Sequence, residues 1–389
     1  MKMQKKFYMW QNRMCITYLL HFNQMKRFLE LNGWVEVNDY QYADYAIVGA
    51  CGAFLPDFRV FFDELAKLEN AVADIIVYGC LPIIDAKRYK NSISREHLFI
   101  PARHPERIEN VINDPIYYWK DVDLNGLFRV EDYVTYSPER RYILVQEGCN
   151  NHCYFCPHRL SIGKEKSRPL DDIVKQVRLG INEGATVYVL EGNNSGAWGM
   201  DLEPPNTFAD LLYHILSEVG ENEIYIGDFE PKWIKEYGES LIHPNIRDIK
   251  IPIQTTSARL LSLMGRDPYV KEMEWFLKKI KLMEPCAFLR TEIIIGFPTE
   301  TKNELLETLE FVSKYFNKVS CFSFDVHPST RIARMEIDLL PEDVIAEHIR
   351  IAMDFFKDKS INAAFDNRGK VVEQVTGNKA CACRKVKAK

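Results

Sequence analysis

Apolar and polar positions alternate along residues 1–118 in a way that predicts a small parallel β-sheet. Residues 19–33 carry apolar side chains at helical spacing and end at Gly33, a residue that often follows a helix. Short apolar runs on either side of this helix, and further along the chain, predict strands at 6–10, 45–50, 74–79 and 97–102. Strands that alternate with helices are typical of parallel sheets with crossover connections. We therefore predict an N-terminal α/β domain over residues 1–118.

The same alternation starts again at residue 141, with longer units. Apolar segments predict six strands, at 141–148, 185–192, 223–230, 248–254, 288–298 and 318–326. Helical stretches such as 171–184 and 271–285 separate them, and a long helix is expected at 341–360. Six strand–helix repeats predict a partial (β/α)6 barrel over residues 141–360. The polar segment 119–140 is predicted to be a linker, and residues 361–389 a short basic tail.

Polar side chains lie at the ends of most of the predicted barrel strands. In parallel α/β folds the carboxyl ends of the strands carry the functional site. A single polar residue there is usually just a solvated strand end. Five at equivalent positions favour a site at this edge: Glu147, Glu191, Glu230, Gln254 and Asp325.

Composition narrows the class of protein. Among 389 residues, 47% are hydrophobic and the formal net charge is −5, so no overall basic field attracts nucleic acid. No apolar run is long enough to span a membrane, and the first ten residues lack the apolar core of a signal peptide. We therefore expect a cytoplasmic protein. Its ten cysteines should be reduced there, which favours metal or catalytic roles.

Three cysteines follow the first barrel strand with the spacing C-x3-C-x2-C: Cys149, Cys153 and Cys156. Three thiolates on one tight loop can ligate three irons of a 4Fe–4S cluster and leave the fourth iron open. An open iron is what S-adenosylmethionine (SAM) needs, because its amino and carboxylate groups chelate there. The alternative is a zinc site with His152 or His158 as the fourth ligand. Zinc sites usually use two separated ligand pairs, and the sequence has no obvious second pair.

Three further cysteines, Cys15, Cys51 and Cys80, each follow a predicted strand of the N-terminal domain. A single cysteine at such a place is usually a small core residue. Three at equivalent strand ends of one parallel sheet can converge, so we predict a second three-cysteine cluster site. Of the remaining cysteines, Cys286 and Cys321 are expected in the core, and Cys381 and Cys383 in a disordered tail.

The spacing C-x3-C-x-aromatic-C, with Phe155 as the aromatic residue, resembles the radical SAM superfamily. The contexts NRMC, ADYAIVGAC and VYGCLP around the N-terminal cysteines, with CNNHCYFCPHR in the barrel, resemble the radical SAM methylthiotransferases of the MiaB/RimO type. This resemblance covers about residues 6–360. It implies SAM contacts at Phe155, Arg168, Glu191, Gly192, Asn193, Glu230, Gln254, Ile295 and Gly296. Asn193, Asn194, Trp198 and Arg168 are also candidates for facing the substrate or for barrel packing.

The resemblance also implies the chemistry. One SAM at the barrel cluster is expected to yield a 5′-deoxyadenosyl radical that abstracts a substrate hydrogen. The second cluster is expected to carry sulfide or polysulfide, and a second SAM to methylate that sulfur. The implied cofactors are thus two 4Fe–4S clusters and SAM as both radical source and methyl donor. A flavodoxin- or ferredoxin-type electron donor is expected.

Two departures from the family bear on the substrate. Residues 252–257 read PIQTTS where the family usually has P-x-Q-S-G-S, and only about two dozen residues follow the long helix where the family usually has an RNA-binding TRAM domain. With the acidic balance, this favours a peptide or protein residue as substrate. A tRNA methylthiotransferase that binds RNA with the basic tail is the second interpretation. A two-cluster enzyme of other radical chemistry and a non-catalytic iron–sulfur carrier are the remaining ones.

Overall fold

The computed structural model describes residues 4–12, 14–53, 57–124, 139–357, 359, 361–367 and 370–375. Within these residues the chain forms two β-sheets flanked by helices. The α/β architecture predicted from the sequence is confirmed. No helix in these ranges is long and apolar enough to cross a membrane.

The first sheet contains five parallel strands: β1 (Lys6–Asn12), β2 (Val35–Glu36), β3 (Tyr45–Ala50), β4 (Asp74–Gly79) and β5 (Leu98–Pro101). Their order is β2-β1-β3-β4-β5. Four helices connect them: α1 (Ile16–Leu31), α2 (Asp57–Ala71), α3 (Leu81–Ile84) and α4 (Ala86–Ser92). Helix α2 buries Phe58, Phe61 and Leu65 against one face of the sheet, while α1 packs on the other face. The order places the carboxyl ends of β1, β3 and β4 side by side.

The second sheet has nine strands in the order β14-β13-β12-β11-β10-β9-β8-β6-β7. Its strands are β6 (Arg140–Glu147), β7 (Lys166–Ser167), β8 (Val187–Gly192), β9 (Glu223–Asp228), β10 (Ile246–Lys250), β11 (Phe288–Ile295), β12 (Lys318–Ser323), β13 (Asn362–Asn367) and β14 (Lys370–Val375). The six predicted strands β6 and β8–β12 are all parallel. Their carboxyl ends therefore lie at one edge, as the barrel prediction requires.

Six helices pack along this sheet: α6 (Leu170–Asn182), α7 (Phe208–Val219), α8 (Ile234–Tyr237), α10 (Val270–Leu282), α11 (Lys302–Tyr315) and α12 (Glu342–Lys357). Two short helices, α5 (Arg159–Ile162) and α9 (Ala258–Leu263), come after the carboxyl ends of β6 and β10. Thr207 and Thr301 begin α7 and α11 with reciprocal side-chain caps to Asp210 and Glu304. Such capping boxes satisfy backbone N–H groups that the first turn leaves unpaired.

The predicted linker and tail differ from expectation where the structure describes them. Val122, at the start of the linker, is buried, and its carbonyl accepts a hydrogen bond from Gln24 Nε2 in α1 at 2.7 Å. The first residues of the predicted tail form β13, parallel to β12, and β14, antiparallel to β13. Pairing with β12 satisfies the backbone groups that would otherwise form an open sheet edge. Residues 125–138 of the linker, and Cys381 and Cys383, lie outside the described residues.

One hydrophobic cluster joins the two sheets. It contains Phe22 and Leu29 of α1 together with Leu144 of β6 and Val189 of β8. Helix α1 therefore packs on the first sheet and on the barrel strands at the same time. This shared core orients the carboxyl edge of the first sheet relative to that of the barrel.

Candidate active site

Cys149, Cys153 and Cys156, called here the barrel cysteines, lie on the loop that leaves β6. Gly148 makes the turn into this loop at a φ of +75°, and its N–H donates to Asn193 Oδ1 at 2.9 Å. The Cys149 N–H donates to the Gly163 carbonyl at 3.2 Å, and the Tyr154 N–H to the Met264 carbonyl at 2.9 Å. The loop is thus attached to three neighbouring segments, so the positions of its thiols are determined by the backbone.

Burial raises the pKa of all three barrel cysteines, and neighbouring donor groups oppose that shift at Cys153 and Cys156. Burial raises the pKa of Cys149 to about 12, and the charges of Cys156 and Cys153 act in the same direction. Burial also raises the pKa of Cys153, although the Arg266 guanidinium opposes that shift. Burial raises the pKa of Cys156, opposed by the backbone N–H of His158. Thiols with raised pKa values lose their protons to solvent when a bound metal ion stabilises the thiolates.

Cys15, Cys51 and Cys80, called here the N-terminal cysteines, lie at the carboxyl ends of β1, β3 and β4. Cys15 immediately precedes α1, and Cys80 immediately precedes α3. The Cys51 N–H donates to Asn12 Oδ1 at 2.9 Å, which ties the end of β3 to the end of β1. The structure therefore brings the three strand ends together as the sequence predicted.

The thiols of the N-terminal cysteines influence one another. The pKa of Cys15 is raised chiefly because its sulfur loses contact with water, and to a smaller extent by the charges of Cys80 and Cys51. Other parts of the residue remain exposed. Burial raises the pKa of Cys80 to about 12, and Cys51 and Cys156 add to that shift while a hydrogen bond with Ser161 opposes it. Because Cys156 and Ser161 belong to the barrel, the two cysteine sets face a common space.

Both cysteine sets fit iron–sulfur clusters by the chemistry of their donors. In a cubane cluster each cysteine binds a different iron, so three ligands need not meet at one point. In the described part of the chain no three Cys, His, Asp or Glu side chains gather closely enough to hold a single ion.

Side chains from α1 fasten the N-terminal sheet to the barrel mouth. His21 Nε2 donates to Glu147 Oε1 at 2.9 Å, and Tyr18 OH donates to Asn193 Oδ1 at 3.4 Å. Burial favours the neutral imidazole, but the Glu147 carboxylate outweighs it and raises the pKa of His21. The pKa of Glu147 is lowered in turn, because His21 outweighs the effect of burial. Each partner therefore favours the charged form of the other, and their hydrogen bond ties α1 to the carboxyl end of β6.

Most residues with a predicted SAM contact lie at the barrel's carboxyl edge. Glu230 follows β9, is buried, and accepts hydrogen bonds from Asn151 of the cysteine loop and from Tyr269 OH. Gln254 adopts a φ of +65° and pairs with Ile293 as an isolated bridge. Ile295 is buried at the end of β11, and the Gly296 N–H donates to Glu300 at 2.8 Å.

The loop after β8 holds two of the other candidates. Gly192 packs tightly, since a methyl group there would lie 2.9 Å from the Gln146 carbonyl oxygen. Asn193 holds both Gly148 and Tyr18. Asn194 accepts from Trp233 Nε1 at 2.8 Å and donates to Glu165 at 2.6 Å. These contacts use the amide groups of both asparagines to shape the loop.

Arg168 and Trp198 make their hydrogen bonds to protein groups, and Glu191 lies buried near Asp228. Glu191 is buried, and burial together with the charge of Asp228 raises its pKa to about 8. Arg168 donates to the Leu144 carbonyl at 2.8 Å and to Gln176 at 2.7 Å. Trp198 is fully buried and donates to the Arg168 carbonyl at 3.0 Å.

Sequence reasoning did not select several charged residues of this region. Lys250 lies between Asp228 and Glu292, at 2.8 and 2.6 Å. Lys232 pairs with Glu230 at 3.4 Å. Arg266 Nε donates to Cys153 Sγ at 3.3 Å. Asp228 and Lys250 are charged residues at the ends of apolar strands, and that position could have marked them as site residues. Arg266 follows a helix, where no such pattern marks it.

Comparison with known proteins identifies similar sequences and folds. The model of the Radical SAM superfamily matches residues 143–312. A tRNA-2-methylthio-N(6)-dimethylallyladenosine synthase from Aquifex aeolicus is 28% identical over 364 residues, covering 87% of this chain and 81% of that protein. A ribosomal protein uS12 methylthiotransferase RimO from Carboxydothermus hydrogenoformans is 26% identical over 347 residues, covering 86% and 78%. The RimO of Clostridium novyi is 29% identical over 343 residues, covering 82% and 74%.

Among solved structures, the radical SAM methyltransferase TsrM from Kitasatospora setae superposes with a TM-score of 0.58 at 11% identity, covering 85% of this chain and 77% of TsrM. The cobalamin-dependent radical enzyme OxsB gives a TM-score of 0.52 at 12% identity, covering 92% and 57%. At these identities the likeness is one of fold.

Proposed function

The chain belongs to the radical SAM methylthiotransferases, enzymes that use SAM and a 4Fe–4S cluster, and from that premise we propose that it attaches a methylthio group to a carbon of a peptide or protein residue. The observation that carries this proposal is that the barrel cysteines and the N-terminal cysteines face a common space. On this proposal the barrel cysteines would hold the cluster that binds SAM, and the N-terminal cysteines would hold a second cluster that carries sulfide or polysulfide. When bound, these groups supply the substrate radical, the sulfur and the methyl group.

The protein's own contribution is orientation and exclusion of water. Helix α1 connects the two cysteine sets, because Cys15 precedes its first residue while Tyr18 and His21 contact the barrel. Asn193 holds Tyr18 and Gly148 with the same side-chain oxygen. The reacting carbon of the substrate has to enter between the two sets. On this proposal, residues 1–118 carry the sulfur and residues 141–360 bind SAM.

The charges at the barrel mouth support a peptide or protein substrate. Lys250 and Lys232 are paired with carboxylates, and Arg266 faces Cys153. Phosphate groups of RNA need cations that are available at the surface. The formal net charge of −5 points the same way. Relatives named ribosomal protein uS12 methylthiotransferase show that proteins are substrates within this family.

A tRNA substrate is the second candidate, since similar relatives are named tRNA methylthio synthases. One surface favours it: four exposed cations lie near Gly163 at the domain junction, and the Arg103 side chain lies 3.5 Å from where a methyl group at Gly163 would be. These junction cations are Arg103, Arg159, Lys164 and Lys166. They could contact a phosphate backbone without any help from the barrel mouth.

Mass spectrometry of candidate substrates tests the proposal. The reconstituted protein is incubated without oxygen with SAM, a flavodoxin- or ferredoxin-type electron donor, sulfide and either ribosomal proteins or tRNA. We expect one methylthio group in place of one hydrogen on a protein residue, and none with a variant that lacks the N-terminal cysteines. A methylthio nucleoside as the only product would establish the second candidate. A substrate that gains sulfur in neither fraction, together with intact SAM cleavage, would contradict both.

Salt dependence separates the two candidates at the binding step. Binding dominated by phosphate contacts weakens steeply between low and physiological salt, whereas a peptide held by backbone pairing and side-chain pockets does not. We therefore expect tRNA binding to disappear near physiological salt and to weaken in the variant Arg159→Gln/Lys164→Gln. Tight, salt-resistant binding to one tRNA would overturn the peptide assignment.

A further inference from the structure

Arg266 makes the closest side-chain contact that the structure records for a barrel cysteine. Its Nε–H donates to Cys153 Sγ at 3.3 Å, and Nη1 donates to the Pro252 carbonyl at 2.9 Å. The guanidinium also lies over the Phe155 ring, 5.6 Å from its centroid. Arginine is suited to such a place, because its planar fork donates in fixed directions and stacks on aromatic rings.

The backbone holds this guanidinium against the cysteine loop. Gly265 has a φ of +72°, and a methyl group there would lie 2.7 Å from the His152 carbonyl oxygen. The Arg266 N–H donates to the Leu261 carbonyl at 2.8 Å, and Tyr154 N–H binds the Met264 carbonyl of the same segment. The approach of Arg266 to Cys153 is therefore built into the turn after α9.

The positive charge of Arg266 is directed at sulfur and not at a carboxylate. The partners that the structure records for the guanidinium are Cys153 Sγ, the Pro252 carbonyl and the Phe155 ring. The carboxylate whose charge acts on Arg266, Glu230, already accepts hydrogen bonds from Asn151 and Tyr269. The guanidinium therefore interacts chiefly with negative charge on the Cys153 sulfur and on groups bound to it.

We propose that Arg266 is a positioning residue that raises the reduction potential of the cluster held by the barrel cysteines. One-electron reduction adds a negative charge to the cluster, and a cation that donates a hydrogen bond to a ligand sulfur stabilises that charge. The electron comes from an external one-electron reductant, and no covalent bond is formed or broken. This inference rests on one element of the proposed function, namely that the barrel cysteines ligate a cluster.

A redox titration followed by electron paramagnetic resonance tests this role. The full-length reconstituted protein is titrated with dithionite, and the variants are Arg266→Met, which removes charge and donor, and Arg266→Lys, which keeps the charge. Arg259→Met is the matched control, because Arg259 lies in the adjacent α9, is exposed and pairs with Glu304 and Thr299. The paramagnetic resonance signal that disappears when the N-terminal cysteines are replaced belongs to the cluster of the N-terminal domain. In the Arg266 variants that signal serves as an internal reference.

At a fixed potential we expect Arg266→Met to lower the ratio of reduced to oxidised barrel cluster about tenfold, which is ~59 mV for one electron. Arg266→Lys should fall between Arg266→Met and the unaltered protein, and Arg259→Met should not move either signal. Unchanged potentials at full iron content would overturn the proposal. Loss of the barrel cluster from both Arg266 variants in a folded protein would also overturn it, because Arg266 would then be a structural part of the loop. A shifted potential without methylthio product would sink the proposed function and leave this inference standing.

Discussion

Replacement of Gly148 by alanine tests whether the turn into the cysteine loop is as tightly packed as the structure indicates. A methyl group at this position would lie 2.0 Å from the Lys164 carbonyl oxygen, 2.5 Å from its carbonyl carbon and 3.0 Å from the Glu165 nitrogen. These are backbone atoms, which cannot rotate away. The φ of Gly148 is +75°, a conformation that residues with a Cβ rarely adopt.

The magnitude follows from two contributions. The left-handed backbone conformation costs alanine roughly 1–2 kcal/mol relative to glycine. Relief of the overlap requires the two backbone segments to separate by more than about 1 Å, since favourable contacts begin near 3.5 Å, and overpacking of this kind costs about 1–3 kcal/mol. We therefore expect a total destabilisation of ~3 kcal/mol. The movement would also break the hydrogen bond from Cys149 N–H to the Gly163 carbonyl.

Gly184→Ala is the matched control, because Gly184 has a φ of +81° but nothing within 4 Å of the added methyl group. It should lose only the backbone contribution of ~1 kcal/mol. Denaturant midpoints of the metal-free proteins, and iron per chain after reconstitution, compare the two. We expect Gly148→Ala to have the lower midpoint and to retain about half the iron, held by the N-terminal cysteines. Equal midpoints and equal iron contents for the two variants would refute the reasoning.

Three further predictions concern the cysteine sets and the barrel interior. Replacement of the barrel cysteines by alanine should remove about half of roughly eight irons and abolish reductive SAM cleavage, measured by iron assay and chromatography; unchanged iron would contradict the assignment. Replacement of the N-terminal cysteines should leave SAM cleavage measurable and stop methylthio transfer, and continued product formation would show that sulfur is not carried there. Burial and the charge of Asp228 raise the pKa of Glu191 to about 8, so the folded state binds its proton more tightly than the unfolded state. Stability from this group is fully present below its unfolded pKa and is lost as pH rises through its folded pKa. The denaturant midpoint should therefore fall between about pH 5 and 8, and less steeply in Glu191→Gln.

The order of elements was predictable from the chain because burial on one face leaves a local periodic pattern. Helix α1 and the six parallel barrel strands were recognised with boundaries a few residues from those observed. Strands β13 and β14 lie in the predicted tail, because β13 gains its partner only when β12 is formed and β14 only when β13 is in place. Pairing between distant segments depends on the assembled sheet, and a local pattern does not carry that information.

The spacing of the barrel cysteines and the recurrence of the N-terminal cysteines after strands were local facts, and they were sufficient to predict two thiol groups. That both groups face one space was decided by the tertiary structure, through a hydrophobic cluster in which α1 contacts β6 and β8. The same holds for Arg266, which reaches Cys153 across 113 residues of chain. The spacing of cysteine ligands is a property of the local sequence. The direction from which a charged side chain approaches a sulfur depends on how separate helices and strands pack.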